Sequence, residues 1–296
     1  MGHKHHYHEV NGKNLFLTIL LNAGISLAEL IGGILSGSIA LISDAIHNFS
    51  DVLSLIISYV ANKMSHRKAT EKQTFGFKRS EILAAFFNSA TLIIFAVFIL
   101  YEAVIRFINP VEIAPNLVIY LAIASILVNA ASVLFISKDA KDNMNLKSVY
   151  LHLFGDMLTS IVVLIGGLLM KYIQIYWIDA VFSGAIAIYL LFMSWNIFKS
   201  SLKIIMQFTP ENINIQEIAN EVSMIENVKN LHHIHVWQIN EHDIMFEAHI
   251  DLKIDAKITD FEQILEKTKE ILLKYNINHI TLQPEFSVVD NKQIIH

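Results

Sequence analysis

His47 is followed four residues later by Asp51, and His152 four residues later by Asp156; both pairs lie in segments of membrane-spanning length that are otherwise largely apolar. On a helix a separation of four puts both side chains on one face, about 6 Å apart. Ionisable groups at bilayer depth are costly, hence rare, and usually serve a substrate or ion pathway. Brought together, the pairs offer two imidazoles and two carboxylates, a set that suits tetrahedral Zn²⁺. Two carboxylates and two neutral imidazoles also cancel the charge of a dication, as burial of such an ion requires. Mg²⁺ and Ca²⁺ prefer all-oxygen shells, so the imidazoles tilt the set toward Zn²⁺ or Cd²⁺ over Mn²⁺. A single pair would read equally well as a hydrogen bond between packed helices. Two identical pairs favour the ligand reading, provided their helices meet.

Other polar residues lie at or near the same depth. Asp44 stands one turn before His47, where it either orients the imidazole or packs the helix. Glu29, Asn129 and Asp179 are expected to pack or gate rather than to bind metal.

The elements that must position these residues are membrane helices. The chain has 296 residues, of which 54% are hydrophobic and 17% charged, against about 25% charged in soluble domains. Six apolar segments are long enough to span, near Leu15–Leu35, Ile39–Ala61, Ile82–Ile105, Asn116–Ile136, Val149–Tyr172 and Ile178–Phe198. Glycines such as Gly32, Gly33, Gly166 and Gly167 permit close helix packing. Loops on one side carry Lys63, Arg67, Lys68, Lys72, Lys78, Arg79, Lys138, Lys141 and Lys147, joined by Lys4, Lys13, Lys199 and Lys203 at the ends. The opposite loops carry Arg106 and Lys171. This bias predicts that both termini are cytoplasmic in a multi-pass protein of the cell membrane.

Past Gln207 the pattern changes. Thr209-Pro210-Glu211 ends the last span, and an α-β-β-α-β order follows: Ile215–Ile225, Leu231–Asn240, Ile244–Leu252, Thr259–Tyr275 and Asn278–Phe286. A unit this small has a limited core and often gains stability by dimerising. The expected organisation is a histidine-bearing cytoplasmic tail over 1–13 (His3, His5, His6, His8), a transport domain over 14–206 and a cytoplasmic αββαβ domain over 207–296. The chain has no cysteine, which removes disulfides, thiolate metal sites and thiol redox chemistry, and a net charge of −5 implies no nucleic-acid partner.

The chain resembles the cation diffusion facilitator family, especially its zinc-exporting members, over nearly its whole length. The resemblance rests on Ser38-Ile39-Ala40-Leu41-Ile42-Ser43-Asp44-Ala45 leading into His47 and Asp51, on Phe75-Gly76-Phe77-Lys78-Arg79-Ser80-Glu81, and on His152 with Asp156. His232-His233-Ile234-His235-Val236-Trp237 and Thr281-Leu282-Gln283-Pro284-Glu285 extend it into the C-terminal domain. It implies a homodimer in which His47, Asp51, His152 and Asp156 form the transport site between helices two and five, with proton-coupled efflux by rocking between inward- and outward-facing states. It further implies a regulatory metal site at His232, His249 and Glu285, with Gln283 where a histidine ligand can occur; a merely solvated strand face is the alternative. The segment Lys138–Lys147 holds no histidine, unlike the histidine-rich loop of some relatives. His66, His233, His235, His242 and His279 receive no role.

Protons bind the same imidazole lone pairs as the metal. A site open alternately to each side would thus exchange metal for protons, and the expected reading is a divalent-cation exporter with Zn²⁺ as its first substrate. The alternatives fit less well. A metalloenzyme needs an open metal position and a general base, a sensor has no use for six spans with buried ligands, and four-ligand binding slows exit from a channel. The sequence contains no GxxxxGK[ST] motif for an ATP-driven pump.

Overall fold

The structure is a computed structural model that describes residues 12–136, 144–240, 242–289 and 291–295, with side chains from residue 19 onward except 55, 58 and 136–152. The tail with His3, His5, His6 and His8, and the loop positions Lys138 and Lys141, lie outside the described residues. Six long helices come first: α1 (Gly12–Ser36), α2 (Ile39–Ser65), α3 (Ser80–Ile108), α4 (Pro115–Ile136), α5 (Met144–Ile173) and α6 (Trp177–Ile205). Each contains a stretch long and apolar enough to cross a membrane. Then follow α7 (Ile215–Ser223), β1 (Val228–Gln238), β2 (Ile244–Leu252), α8 (Ile258–Leu273) and β3 (His279–Glu285).

The helices outrun the apolar segments at several ends. The fourth-to-fifth connection is shorter than hydropathy suggests because α5 begins at Met144, and α6 continues to Ile205 rather than stopping near Phe198. Apolar content sets where lipid begins, whereas backbone hydrogen bonding continues through polar residues that tolerate a helix. What ends α6 is Gln207 at φ +59, with Phe208 N–H donating to Lys203 O at 2.9 Å. This is a left-handed helix C-cap built without glycine.

The chain divides into two compact units, one formed by residues up to Tyr59 with Phe87–Phe198, the other by Val60–Phe86 with Lys199–His296. In the first, large apolar side chains such as Ile94, Phe98, Tyr120 and Phe192 are exposed, while Ser26, Ser43, Ser125, Ser160 and Ser183 are buried. Small and hydroxyl residues at helix contacts, with bulky apolar residues outside, is the pattern suited to lipid.

Two close approaches set the first hairpin. A Cβ on Gly33 would stand 2.6 Å from Ile42 Cγ1 and 3.0 Å from the Ile42 nitrogen, so no larger residue lets α1 and α2 approach this closely. Gly37 turns the chain at φ +77 and donates to Gly33 O at 2.9 Å. The start of α2 is then capped from another helix. Asp179 on α6 accepts from Ile39 N–H at 2.8 Å, from Ala40 N–H at 3.4 Å and from the Ser38 hydroxyl. The four orphan N–H groups at a helix start need acceptors where water is scarce, and the carboxylate also complements the helix dipole. Arg106 on α3 donates to the Gly37 carbonyl at the same corner and to Glu102 at 2.9 Å.

In the second unit, β2 is central, antiparallel to β1 and parallel to β3; the parallel pair requires the α8 crossover. Phe246, Ala248 and Ile250 face a core shared with Ile218 and Val222 of α7 and Ile264 and Leu272 of α8. Alternation therefore sends Glu247, His249 and Asp251 to the opposite face. The loop between α2 and α3 belongs to this unit. Glu81 accepts from Asn62 and Ser65 at 2.8 Å each, the Phe75 ring meets His279 edge-on, and Lys78 pairs with Asp243 at 2.8 Å. That hydrogen bond from Lys78 holds the Asp243 carboxyl below the usual aspartate range. The pair is therefore complete above the ordinary aspartate pKa and is lost only as pH falls through the depressed value, so it does not switch near neutrality.

Asp179→Ala leaves buried N–H groups of α2 without their acceptor and should destabilise the purified protein by on the order of 3 kcal/mol, with Asp179→Asn intermediate. Thermal unfolding in detergent reads this directly; an unchanged melting temperature in both variants would show that the cap is dispensable.

Candidate metal site

Helices α2 and α5 carry the sequence-identified residues, and the side chains of His47, Asp51 and Asp156 meet. His47 Nδ1 lies 3.4 Å from Asp51 Oδ2 on its own helix, and His47 Nε2 lies 3.6 Å from Asp156 Oδ1 on α5. One candidate ligand atom from each of the three residues falls within 4.8 Å of the others. Two atoms bound tetrahedrally at about 2.0–2.2 Å from Zn²⁺ stand roughly 3.3–3.6 Å apart. Each carboxylate lies at such a distance from a different ring nitrogen of His47, so an ion bound to one nitrogen has one carboxylate at ligand-edge distance and the other a short side-chain movement away. Asp156 is 5% exposed, and the Tyr189 ring of α6 meets His47 edge-on with centroids 6.3 Å apart. His152 lies on α5 four residues before Asp156, but its side chain lies outside the described residues.

Further buried hydrogen bonds tie α2 and α5 together. Asp44 accepts at Oδ2 from the Ser160 hydroxyl of α5 at 3.1 Å, and the Ser125 hydroxyl of α4 lies 3.0 Å from that of Ser160. Asp44 thus links α2 to α5 and, through the serines, to α4. Glu29 on α1 accepts from Asn48 Nδ2 of α2 at 3.4 Å, and both Glu29 and Asn129 are fully buried. Sequence reasoning did not single out Ser125, Ser160 or Asn48. For Ser160 a signal existed: it continues the spacing of four from His152 and Asp156. A lone buried serine in a span is too common to be read without the partner helix.

The C-terminal domain brings its three expected residues together as well. Glu285 places one oxygen 3.3 Å from His232 Nε2 and the other 2.7 Å from His249 Nδ1, and one ligand atom from each residue lies within 4.8 Å of the others. Register explains the meeting: His232, His249 and Gln283 pair across the three strands, and Asp251 pairs with Glu285 in the next row. Gln283 Nε2 donates to Glu285 at 3.3 Å rather than standing apart. His233 stacks on His249 with centroids 4.7 Å apart, and His235 meets His233 edge-on. His66 Nδ1 lies 2.9 Å from the Asn62 carbonyl, and the His242 carbonyl accepts from Asn278.

Comparison with known proteins agrees with both halves. A family profile described as the cation efflux transmembrane domain matches residues 15–206, and one described as the cation efflux protein cytoplasmic domain matches 210–287. A Bacillus subtilis protein named cadmium, cobalt and zinc/H(+)-K(+) antiporter is 35% identical over 287 residues, covering 96% of this chain and 92% of that one. The zinc transporter ZitB of Pectobacterium atrosepticum is 32% identical, covering 98% and 91%. The metal cation efflux system protein CzcD of Cupriavidus metallidurans is 30% identical, covering 97% and 90%.

Equilibrium dialysis of the purified protein against Cd²⁺ should show about one ion fewer per chain for Asp51→Ala and for Asp156→Ala. Ser160→Ala should keep the stoichiometry and weaken the affinity by about tenfold, the usual effect of losing an outer-shell partner. Unaltered stoichiometry in both aspartate variants would remove the intramembrane site.

Proposed function

Because this chain belongs to the cation efflux (cation diffusion facilitator) family, a family of transporters and not of enzymes, we propose that it exports divalent metal cations from the cytoplasm in exchange for protons. Zn²⁺ is the first substrate and Cd²⁺ a second. The substrate is held by His47, Asp51, His152 and Asp156 and passes by alternating access at that site. The observation that carries this reading is the approach of one partly buried imidazole to carboxylates from two different helices, His47 to Asp51 and to Asp156. A site split between α2 and α5 can be assembled or opened by a small movement of one helix against the other, which a site on one helix cannot.

The exchange follows from competition. An imidazole or carboxylate that takes a proton releases its metal, and metal entering from the other side displaces the proton. No separate proton path is then needed. The Bacillus subtilis relative carries H(+) in its name as an exchanged ion, and the relatives' names include zinc, cadmium and cobalt. The C-terminal match is to a dimerisation domain, which supports a homodimer, and the lysine and arginine bias supports termini on the cytoplasmic side of the cell membrane.

The test is metal flux in proteoliposomes under an imposed pH gradient. Zn²⁺ movement should follow the proton gradient and reverse with it, and Asp51→Ala and Asp156→Ala should each reduce it at least a hundredfold while remaining folded. Flux that is indifferent to the gradient would sink the proton exchange; full flux in both variants would sink the site.

A further inference from the structure

On the outer face of the C-terminal sheet, the cluster of His232, His249 and Glu285 already holds a cation that belongs to the chain. The Lys292 ammonium lies 2.7 Å from Glu285 Oε2, 3.1 Å from Asp251 Oδ1 and 3.3 Å from His232 Nε2. Its surroundings are buried: His232 is 0% exposed, Asp251 2% and Glu285 6%. Two carboxylates at such depth require a compensating charge, and Lys292 supplies it at close range. Lys229 contributes from 3.9 Å to the far oxygen of Asp251, but its side chain is largely exposed.

The segment that carries Lys292 is built into the sheet. The register of β1 against β2 breaks between His232 and His235, and His233 sits at φ +51 in the left-handed region. This bulge turns two backbone donors away from β2, and the C-terminal segment takes them: His233 N–H donates to Gln293 O at 3.1 Å, and Ile234 N–H to Ile294 O at 2.8 Å. Asn291 accepts from Gln293 N–H at 3.1 Å, closing a turn around Lys292, and Ile294 packs against the domain core. The ammonium is therefore placed by backbone on both sides and is not a surface side chain that happened to reach a carboxylate.

A divalent ion and this ammonium need the same atoms. A metal at about 2.0–2.2 Å from His232 Nε2 and a Glu285 oxygen would overlap a nitrogen that stands 3.3 Å and 2.7 Å from those atoms. We propose that Lys292 is a tethered cationic occupant of the His232–His249–Glu285 site, so that a divalent metal binds there only by expelling the ammonium and loosening 291–295 from the β1 bulge. The inference rests on the reading that this cluster takes a metal at all. Given that, the tail raises the metal concentration at which the site fills, and filling it exposes two backbone donors at a sheet edge. Metal occupancy thereby becomes a change in the edge of the domain and not merely a change in charge.

Hydrogen exchange of the full-length protein in detergent tests this, with and without Zn²⁺. In wild type the amides of His233 and Ile234 should be protected without metal; Zn²⁺ should protect the β2 segment around His249 while raising exchange at 233–234 and 291–295. In Lys292→Met the β2 protection should appear at about tenfold lower Zn²⁺, whereas Lys292→Arg, which keeps the charge, should stay near the wild-type midpoint. His249→Ala should abolish the β2 response. Protection of β2 at one midpoint in all three Lys292 chains, with 291–295 unmoved by Zn²⁺, would overturn the occupant and leave the metal site standing. Absence of any Zn²⁺ response in β2 of wild type and Lys292→Met would overturn the metal site itself, and the occupant with it.

Discussion

A helix that begins inside a membrane protein leaves N–H groups pointing into a medium with little water to accept them, and at the start of α2 these groups converge on one carboxylate, Asp179. The Ser38 hydroxyl and the N–H groups of Ile39 and Ala40 all donate to it. The consequence reaches further than a cap. Since α2 carries Asp44, His47 and Asp51, the anchor at its first turn fixes the height and rotation at which those side chains face α5. Gly33 makes the same helix approach α1 to a distance that excludes a Cβ, and Arg106 closes the corner from α3. A polar residue that looks like an expensive oddity in an apolar span is thus what holds the helix of His47 and Asp51 in place.

With α2 held, further buried polar groups link neighbouring helices. Asp44 accepts from Ser160, Ser160 meets Ser125, and Glu29 accepts from Asn48. Each link crosses between helices, so relative movement of α2 and α5 must break or remake hydrogen bonds in a low-dielectric interior, where an unmade bond is costly. Such an interior favours a few discrete arrangements over continuous deformation. That is the physical requirement for a carrier whose site faces one side at a time.

The C-terminal domain solves a different problem with similar residues. Its sheet buries one face against α7 and α8 through Phe246, Ala248, Ile250, Val222 and Leu272. The other face gathers His232, His249, Asp251 and Glu285. Carboxylates so deeply placed have to meet positive charge, whether from a metal or from Lys292.

Hydrophobic run length and the spacing of polar residues are local properties, and they were sufficient to read six spans and the αββαβ order from the sequence alone, and to single out His47, Asp51, His152 and Asp156 as candidates. Strand alternation likewise placed His249 and Asp251 on one face before any partner strand was known. Helix ends were less legible: α6 runs on to Ile205 because helical hydrogen bonding does not stop where apolar composition does. What only the tertiary structure decided is which side chain answers which. The reach of Asp179 to α2, the pairing of Asp44 with Ser160 and the placement of Lys292 among Glu285, Asp251 and His232 span separations of 141, 116, 7, 41 and 60 residues. No periodicity encodes them, because a hydrogen bond or an ion pair is satisfied by position in space and by the absence of competing water, and both are settled only when the elements pack.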